Sequence, residues 1–452
     1  MVSAIDAVRN YTGSFAWGPL VQLSRSTILN LLKSIEVGQL TVRDTDGTTT
    51  ICGKVPKDGE NAPVSSLRVL RETFWLRLAL FADMGLAESY MLGEVACSDL
   101  TSFFRLFILN REHLSNGSTL TSTISSAISG LLRKANTLPN ALLNISAHYD
   151  ISNEMFGAFL SPDMTYSCPI WRPRSQAIAG KDNEEPLEEA QYRKLDRFID
   201  NAKIKASDHV LEIGTGWGSF AIRAVQRTGC RITSLTLSVE QKELAERRIA
   251  EAGLTDHIEV LICDYRALPM PKEGPYDKVV SIEMLEAVGR EFLKKYFECI
   301  DKLLKPDGGI AVFQCITMPE SRYEAYAKGE DFIRKYIFPG GHLPTVTQLV
   351  TSIAEGSKGL LVVDSVENIG THYARTLRLW KDKFLQNFDA VIQPALIAEH
   401  EGMSEADTAL FKRKWEYYFT YCEAGFNTRT LGDVIITVCR EGAMEMAEDI
   451  PL

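Results

Sequence analysis

Asp208-His209-Val210-Leu211-Glu212-Ile213-Gly214-Thr215-Gly216-Trp217-Gly218-Ser219 is the stretch that decides the fold. A short apolar run enters three glycines at alternate positions, and a helical pattern leaves them over 219–226. A buried strand turning sharply into a helix reads this way, because glycine accepts backbone conformations that a Cβ would strain. Downstream the alternation continues. Strand-like runs at 231–236, 258–263, 278–282 and 309–315 are separated by helix-like runs at 239–251 and 290–304. This order predicts an α/β fold, a Rossmann-like, doubly wound and mostly parallel sheet. Two more strands, at 361–366 and 434–439, are expected to join it antiparallel.

The spacing Glu212-x-Gly214-x-Gly216-x-Gly218 differs from the G-x-G-x-x-G fingerprint that seats a pyrophosphate, and no Walker lysine follows. Phosphate cradling therefore has little support. Glycines let a backbone approach a ligand closely, and Glu212 can hold a cationic group, so a sulfonium amino acid suits the loop. Cys263-Asp264-Tyr265 ends the third strand and offers a carboxylate and a ring where an adenine would lie. A glycine turn alone is also compatible with a bare strand-to-helix connection.

Composition removes other classes. The 452 residues are 45% hydrophobic and 24% charged, which fits globular domains and excludes disorder. Lys and Arg number 49 against 59 Asp and Glu, a net charge of −10, so no nucleic-acid partner is expected. The nine cysteines are scattered without a CxxC pair, so no metal site or disulfide framework is expected, and a cytoplasmic location is. The most apolar segment, 74–92, is broken by Arg77, Asp83 and Glu88 and is too polar to span a membrane. Three parts follow: an N-terminal α+β domain over 1–110, which would present lipid or dimerise; a Ser/Thr/Asn/Gly-rich linker over 111–143; and a catalytic domain over 144–452. The N-terminal part opens with a hairpin around Asp44-Thr45-Asp46-Gly47, followed by helices at 74–91 and 100–109.

Several ordered boxes carry a resemblance. His148-Tyr149-Asp150-Ile151-Ser152-Asn153, Met164-Thr165-Tyr166-Ser167-Cys168, Leu235-Thr236-Leu237-Ser238 with Gln241, and the run from Ser281-Ile282-Glu283-Met284-Leu285-Glu286 to Gly289 resemble segments of cyclopropane-fatty-acyl-phospholipid synthases. The likeness continues through Tyr336-Ile337-Phe338-Pro339-Gly340-Gly341, His372-Tyr373-Ala374-Arg375 and Tyr421-Cys422-Glu423-Ala424. It covers about 76–440 and is nearest to a plant/fungal-like branch of these mycolic acid cyclopropane synthase-like methyltransferases.

The resemblance implies S-adenosyl-L-methionine as donor and an isolated cis olefin of a lipid acyl chain as acceptor, converted to a cyclopropane. Its partner would be an unsaturated phospholipid or other olefinic lipid, reached by peripheral membrane contact, with a homodimer among the expectations. It assigns donor binding to Tyr149, Tyr166, Ser167, Glu212, Gly214, Gly216, Gly218, Thr236, Gln241, Asp264 and Tyr265. It implies a bicarbonate ion as proton acceptor, held by Cys168, Glu286, Gln314, Ile316 and Tyr373, with Cys168 and Ile316 giving backbone groups. Tyr166, Phe338 and Tyr373 are the candidate rings for a carbocation.

Where bacterial members place His, this chain has Gln314, whose amide can bond the ion but cannot take its proton. If proton removal is redirected, the product is a methyl or methylene branch. Glu283 reads equally as a site residue or as one solvated face of a helix shared with Glu286. Trp217 reads as packing, and Arg375 as satisfying a buried carboxylate. Two other functions stay open: methylation of an alkene in a soluble terpenoid or polyketide, and a silent lipid-binding protein that keeps the donor pocket.

Overall fold

In the computed structural model the described residues are 17–57, 60–115, 152–173, 175, 185–400 and 402–448. They group into two units. One gathers the described part of Met1–Ile151 with Glu330–Pro339 and Phe384–Thr428. The other holds the described part of Ser152–Gly329, Gly340–Lys383 and Arg429–Leu452. Two stretches that the sequence reading assigned to the catalytic domain thus group with the N-terminal residues.

The first unit carries a four-stranded sheet of β1 (Gln39–Arg43), β2 (Thr49–Gly53), β3 (Val64–Val69) and β4 (Val95–Cys97) in the order β2-β1-β3-β4. β1 and β2 form the expected hairpin, antiparallel, with Arg43 opposite Thr49. The helical run 74–91 is found at Thr73–Met91, but it is broken at Ala82, whose φ of 46° and ψ of −122° leave the helix. Beyond the break the chain returns on itself, and a Cβ on Gly85 would lie 2.1 Å from the Arg77 carbonyl oxygen. Only glycine allows that approach. Arg77 is buried and bonds Glu94 twice, at 3.1 Å each, which satisfies both charges without water. The helix Glu405–Asn427 belongs to the same unit: Tyr90 donates to Glu416 at 2.8 Å and Thr101 to Glu423 at 2.9 Å. Of the linker 111–143, residues 111–115 form a short helix and the remainder lies outside the described residues.

The second unit is built on a seven-stranded sheet. Its strands are β5 (His209–Ile213), β6 (Arg231–Thr236), β7 (Ile258–Ile262), β8 (Lys278–Ile282), β9 (Ile310–Thr317), β10 (Leu361–Asn368) and β11 (Gly432–Arg440). Their order is β10-β11-β9-β8-β5-β6-β7. β5 to β9 run parallel, and β11 and β10 join the β9 edge antiparallel. The expected α/β sheet is therefore present. Its central strands are buried on both faces, which is why they read as unbroken apolar runs. Helices α1 (Leu187–Asn201), α2 (Ser219–Thr228), α3 (Val239–Glu251), α4 (Leu293–Leu303), α5 (Val346–Gly356) and α6 (Thr371–Asn387) accompany it, residues 384–387 of α6 being counted with the first unit. The helix expected from Arg290 instead begins at Leu293, preceded by a 3₁₀ turn, Arg290–Phe292. Tyr296, Phe297 and Ile300 of α4 pack with Leu349 and Ile353 of α5 against Phe313, Val434 and Ile436.

Register decides what meets at the sheet's carboxyl edge. Ile282 pairs with Gln314, and Ile316 with Asp433. The turn after β8, the end of β9 and the start of β11 therefore lie side by side. No helix among the described residues is long and apolar enough to cross a membrane.

Candidate functional site

The glycine loop follows β5 directly. Gly214, Gly216 and Gly218 have φ of +102°, +51° and +85°, which is why glycine recurs here. The amides of Gly214 and Thr215 both donate to the Leu235 carbonyl, at 2.9 and 3.0 Å, tying the loop to β6. A Cβ on Gly216 would meet nothing within 4 Å, so the backbone there borders open space. Glu212 lies beneath the loop, buried, where its carboxylate accepts the Ser234 hydroxyl at 2.5 Å. Ser234 in turn shares a 2.7 Å hydrogen bond with Thr215. Burial pushes the Glu212 carboxyl up to about 8. Its observed role is bracing the loop. Trp217 packs as expected, its indole nitrogen donating to Asn153 at 2.7 Å and its ring 4.8 Å from Phe156.

The neighbouring strand ends carry the remaining donor-binding candidates. Thr236 donates to the side chain of Gln241 at 2.8 Å, and Ser238 caps α3 by accepting the Gln241 amide at 3.1 Å. Asp264 is gripped by Arg266, whose Nε stands at 2.9 Å and holds the carboxyl below its usual range. Tyr265 sits edge-on to Tyr296 at 5.0 Å. Ser167 is fixed from α1: its hydroxyl accepts Lys194 Nζ at 2.6 Å and its carbonyl accepts Gln191 at 2.8 Å. Tyr149 lies outside the described residues, as does the box at 148–151.

The residues assigned to bicarbonate come together, but around a side chain. The Cys168 amide donates to Glu283 Oε1 at 2.7 Å, Gln314 Nε2 to the same oxygen at 2.8 Å, and the Tyr373 hydroxyl to Oε2 at 2.8 Å. The Ile316 amide donates to Glu286 Oε1 at 2.6 Å. Cys168 and Ile316 thus contribute their backbone amides, here to glutamate side chains. The Cys168 thiol is fully buried, and burial holds it well above the usual range, which removes it as a nucleophile.

Glu283 and Glu286 do not share a helix face. Glu283 has φ +48°, and Glu286 lies in a 3₁₀ turn, Leu285–Ala287. The left-handed turn directly after β8 is what sends the Glu283 carboxylate among its three donors.

Two members of this cluster were not singled out from sequence. Asp433 accepts Gln314 Nε2 at 2.9 Å, and Lys194 is fully buried. Each had a signal: Asp433 stands at the head of an apolar strand, and Lys194 occupies an apolar-face position of α1 between Gln191 and Leu195. Burial raises Glu283 and, more strongly, Asp433, which also stands against the Glu283 charge and is thereby held toward its neutral form. Burial, then the nearby Glu283, pushes Glu286 up to about 8. Glu286 Oε2, Gln314 Oε1 and Asp433 Oδ1 are buried with no hydrogen-bond partner among the described residues.

A chain of rings joins the loop to this cluster. From Trp217 it passes to Phe156, then to Tyr166 at 5.1 Å, to Trp380 at 5.0 Å and to Tyr373 at 5.8 Å. Phe338 falls in the first unit, 5.9 Å from Tyr418. Among the described residues Arg375 bonds no carboxylate; it donates to the Glu185 carbonyl at 3.5 Å, and its guanidinium lies 3.9 Å over the Trp171 ring.

Residues 137–435 match the family described as mycolic acid cyclopropane synthetase. Over 371 residues, 81% of each chain, the protein is 40% identical to the tuberculostearic acid methyltransferase UfaA1 of Mycobacterium tuberculosis. It is 30% identical to the cyclopropane-fatty-acyl-phospholipid synthase of Escherichia coli over 81% of this chain and 86% of that one. Among solved structures, the mycolic acid cyclopropane synthase CmaA1 complexed with SAH and CTAB aligns with a TM-score of 0.53 at 26% identity. That alignment covers 66% of this chain and 98% of the other.

Proposed function

The chain belongs to the mycolic acid cyclopropane synthetase family, and we propose that it methylates an isolated cis olefin of a lipid acyl chain, with S-adenosyl-L-methionine as donor and a cyclopropane as product. The observation that carries this reading is the ring chain from the glycine loop to Tyr373, which ends on a buried carboxylate cluster.

The residues fit the donor. The open backbone at Gly216, with Gly214 and Gly218, would hold its amino-acid end, and Thr236, Gln241, Asp264 and Tyr265 its nucleoside end. When bound, it supplies an electrophilic sulfonium methyl. An unactivated alkene is a weak nucleophile, so the chain's task is to position the acceptor and exclude water. Tyr166, Trp380 and Tyr373 offer ring faces to a developing cation, each worth about 1–2 kcal/mol when desolvated. The cytoplasmic and peripheral placement, and the role of 1–110 in presenting lipid or a second copy, belong to the same proposal.

A second reading differs only in product. By the resemblance Gln314 stands where bacterial members usually place His, and a 40% identical relative is named as a tuberculostearic acid methyltransferase, which favours a methyl or methylene branch.

Purified protein incubated with donor and cis-monounsaturated phospholipid is expected to yield acyl chains heavier by one CH₂. Resistance of these chains to mild hydrogenation supports the cyclopropane, and sensitivity supports the methylene branch. Absence of any mass gain on phospholipid, together with methylation of a small soluble alkene, overturns the lipid reading.

A further inference from the structure

We propose that Glu283 supplies from the chain itself the anion that the resemblance assigns to bicarbonate, and that its carboxylate accepts the proton lost after methyl transfer. The inference rests on the olefin-methylation reading and holds for either product.

An exchangeable bicarbonate would need the Cys168 amide, the Gln314 side chain, the Tyr373 hydroxyl and the Ile316 amide, together with Glu286, whose Oε2 is left unpartnered among the described residues. The first three are spent on Glu283, at 2.7, 2.8 and 2.8 Å, and the fourth on Glu286 at 2.6 Å. An ion on the same donors would have to lie where these carboxylate oxygens already are. The residues present therefore do not fit bicarbonate.

Backbone geometry points the same way. Glutamate at φ +48° is disfavoured by about 1 kcal/mol or more, and such strain persists where surrounding contacts enforce it. Here three elements distant in sequence enforce it, through Cys168, Gln314 and Tyr373. Lys194, buried in the same cluster and bonded to Ser167 at 2.6 Å, is drawn toward its charged form by Glu283 against the opposing effect of burial, and Asp433 is held toward its neutral form beside that carboxylate. Desolvation makes Glu283 a stronger base than an ordinary carboxylate.

The step balances. After methyl addition the acceptor carries a carbocation. One C–H bond of the added methyl breaks, and its electron pair forms the ring-closing C–C bond. If a hydride shift has moved the cation to the methylated carbon, the same pair forms a methylene double bond instead. The proton passes to Glu283 Oε2, the oxygen bearing the Tyr373 hydroxyl. Cation and carboxylate become neutral product and carboxylic acid.

Glu283→Gly tests this cleanly, because glycine is at ease at positive φ and vacates the space of the carboxylate. In bicarbonate-free, degassed buffer the wild type is expected to keep full activity, and 10–50 mM bicarbonate, on the order of a free-anion concentration needed for weak binding, to change it less than about twofold. Glu283→Gly is expected to lose about 100-fold or more and to recover at least tenfold of this with bicarbonate. Glu283→Gln, which fills the space, is expected to lose as much and to recover nothing. Binding of ¹³C-bicarbonate, followed by NMR, is expected only in Glu283→Gly, and donor affinity by calorimetry is expected to be unchanged in both variants. Wild-type dependence on added bicarbonate, wild-type bicarbonate binding, or full activity in Glu283→Gly overturns the proposal. Failure of the methylation reading shows separately, as a wild type that modifies no olefin in either buffer, and the NMR arm still decides the anion question.

Discussion

Gly216 separates two demands that usually coincide at a glycine loop. Its φ of +51° costs an alanine about 1 kcal/mol, while the added Cβ meets nothing within 4 Å of protein. Gly216→Ala is therefore expected to fold with a loss of about 1 kcal/mol, yet to weaken donor binding tenfold or more. Calorimetry against thermal unfolding checks this, and equal donor affinity would refute the loop's assignment. Glu212 and Glu286 make a second prediction. Both are held protonated up to about pH 8, whereas an unfolded chain releases these protons near 4.5. The native state thus binds more protons over that interval. Stability present at pH 4.5 is lost as pH approaches 8, with a slope of up to about 1.4 kcal/mol per pH unit for each group. Denaturant titrations across this range should flatten in Glu212→Gln and in Glu286→Gln, and an unchanged slope would contradict the burial argument. The ordered boxes made Cys168, Glu286, Gln314, Ile316 and Tyr373 legible. They left Glu283 undecided, because its place depends on a left-handed turn and on donors from residues 168, 314 and 373, none of them local.

Among elements, the five parallel strands were legible because burial on both faces leaves apolar runs bounded by turns, and the antiparallel pair beyond them was found as well. The break at Ala82 was not, because side-chain spacing over 73–91 stays helical. What enforces the break is the contact of Gly85 with the Arg77 backbone, a tertiary event that spacing does not record. A similar contact sets α5 against α4. A Cβ on Gly356 would lie 2.7 Å from both the Lys294 carbonyl oxygen and the Phe297 Cβ. Gly356→Ala must push the helices apart, and a loss of about 1–3 kcal/mol is expected in chemical denaturation. A loss below about 0.5 kcal/mol would mean that this crossing is not close-packed.

Across the whole molecule, the single boundary read near residue 143 followed a change in composition, and composition says nothing about which distant stretches return to pack. Within the first unit, Phe104 meets Tyr417 at 5.0 Å, Tyr90 bonds Glu416, and the Met91 carbonyl accepts Arg413. A fragment of residues 1–110 lacks all three partners. It is expected to show no cooperative unfolding transition by circular dichroism, and a sharp one would show that the later stretches are dispensable. A chain cut after Thr428 lacks β11, which lies between β9 and β10, and should aggregate through the uncovered edge of β9.

The order in which the chain leaves the ribosome gives this discontinuity a cost in time. At about 5–20 residues per second, tens of seconds separate the emergence of the first sheet from that of the helix Glu405–Asn427, which completes the same unit. The second sheet waits longer still, because its interior strand is the last to be made. Throughout that interval the nascent polypeptide carries two unfinished apolar surfaces, so its yield in a cell should depend on chaperone supply far more than its equilibrium stability would suggest.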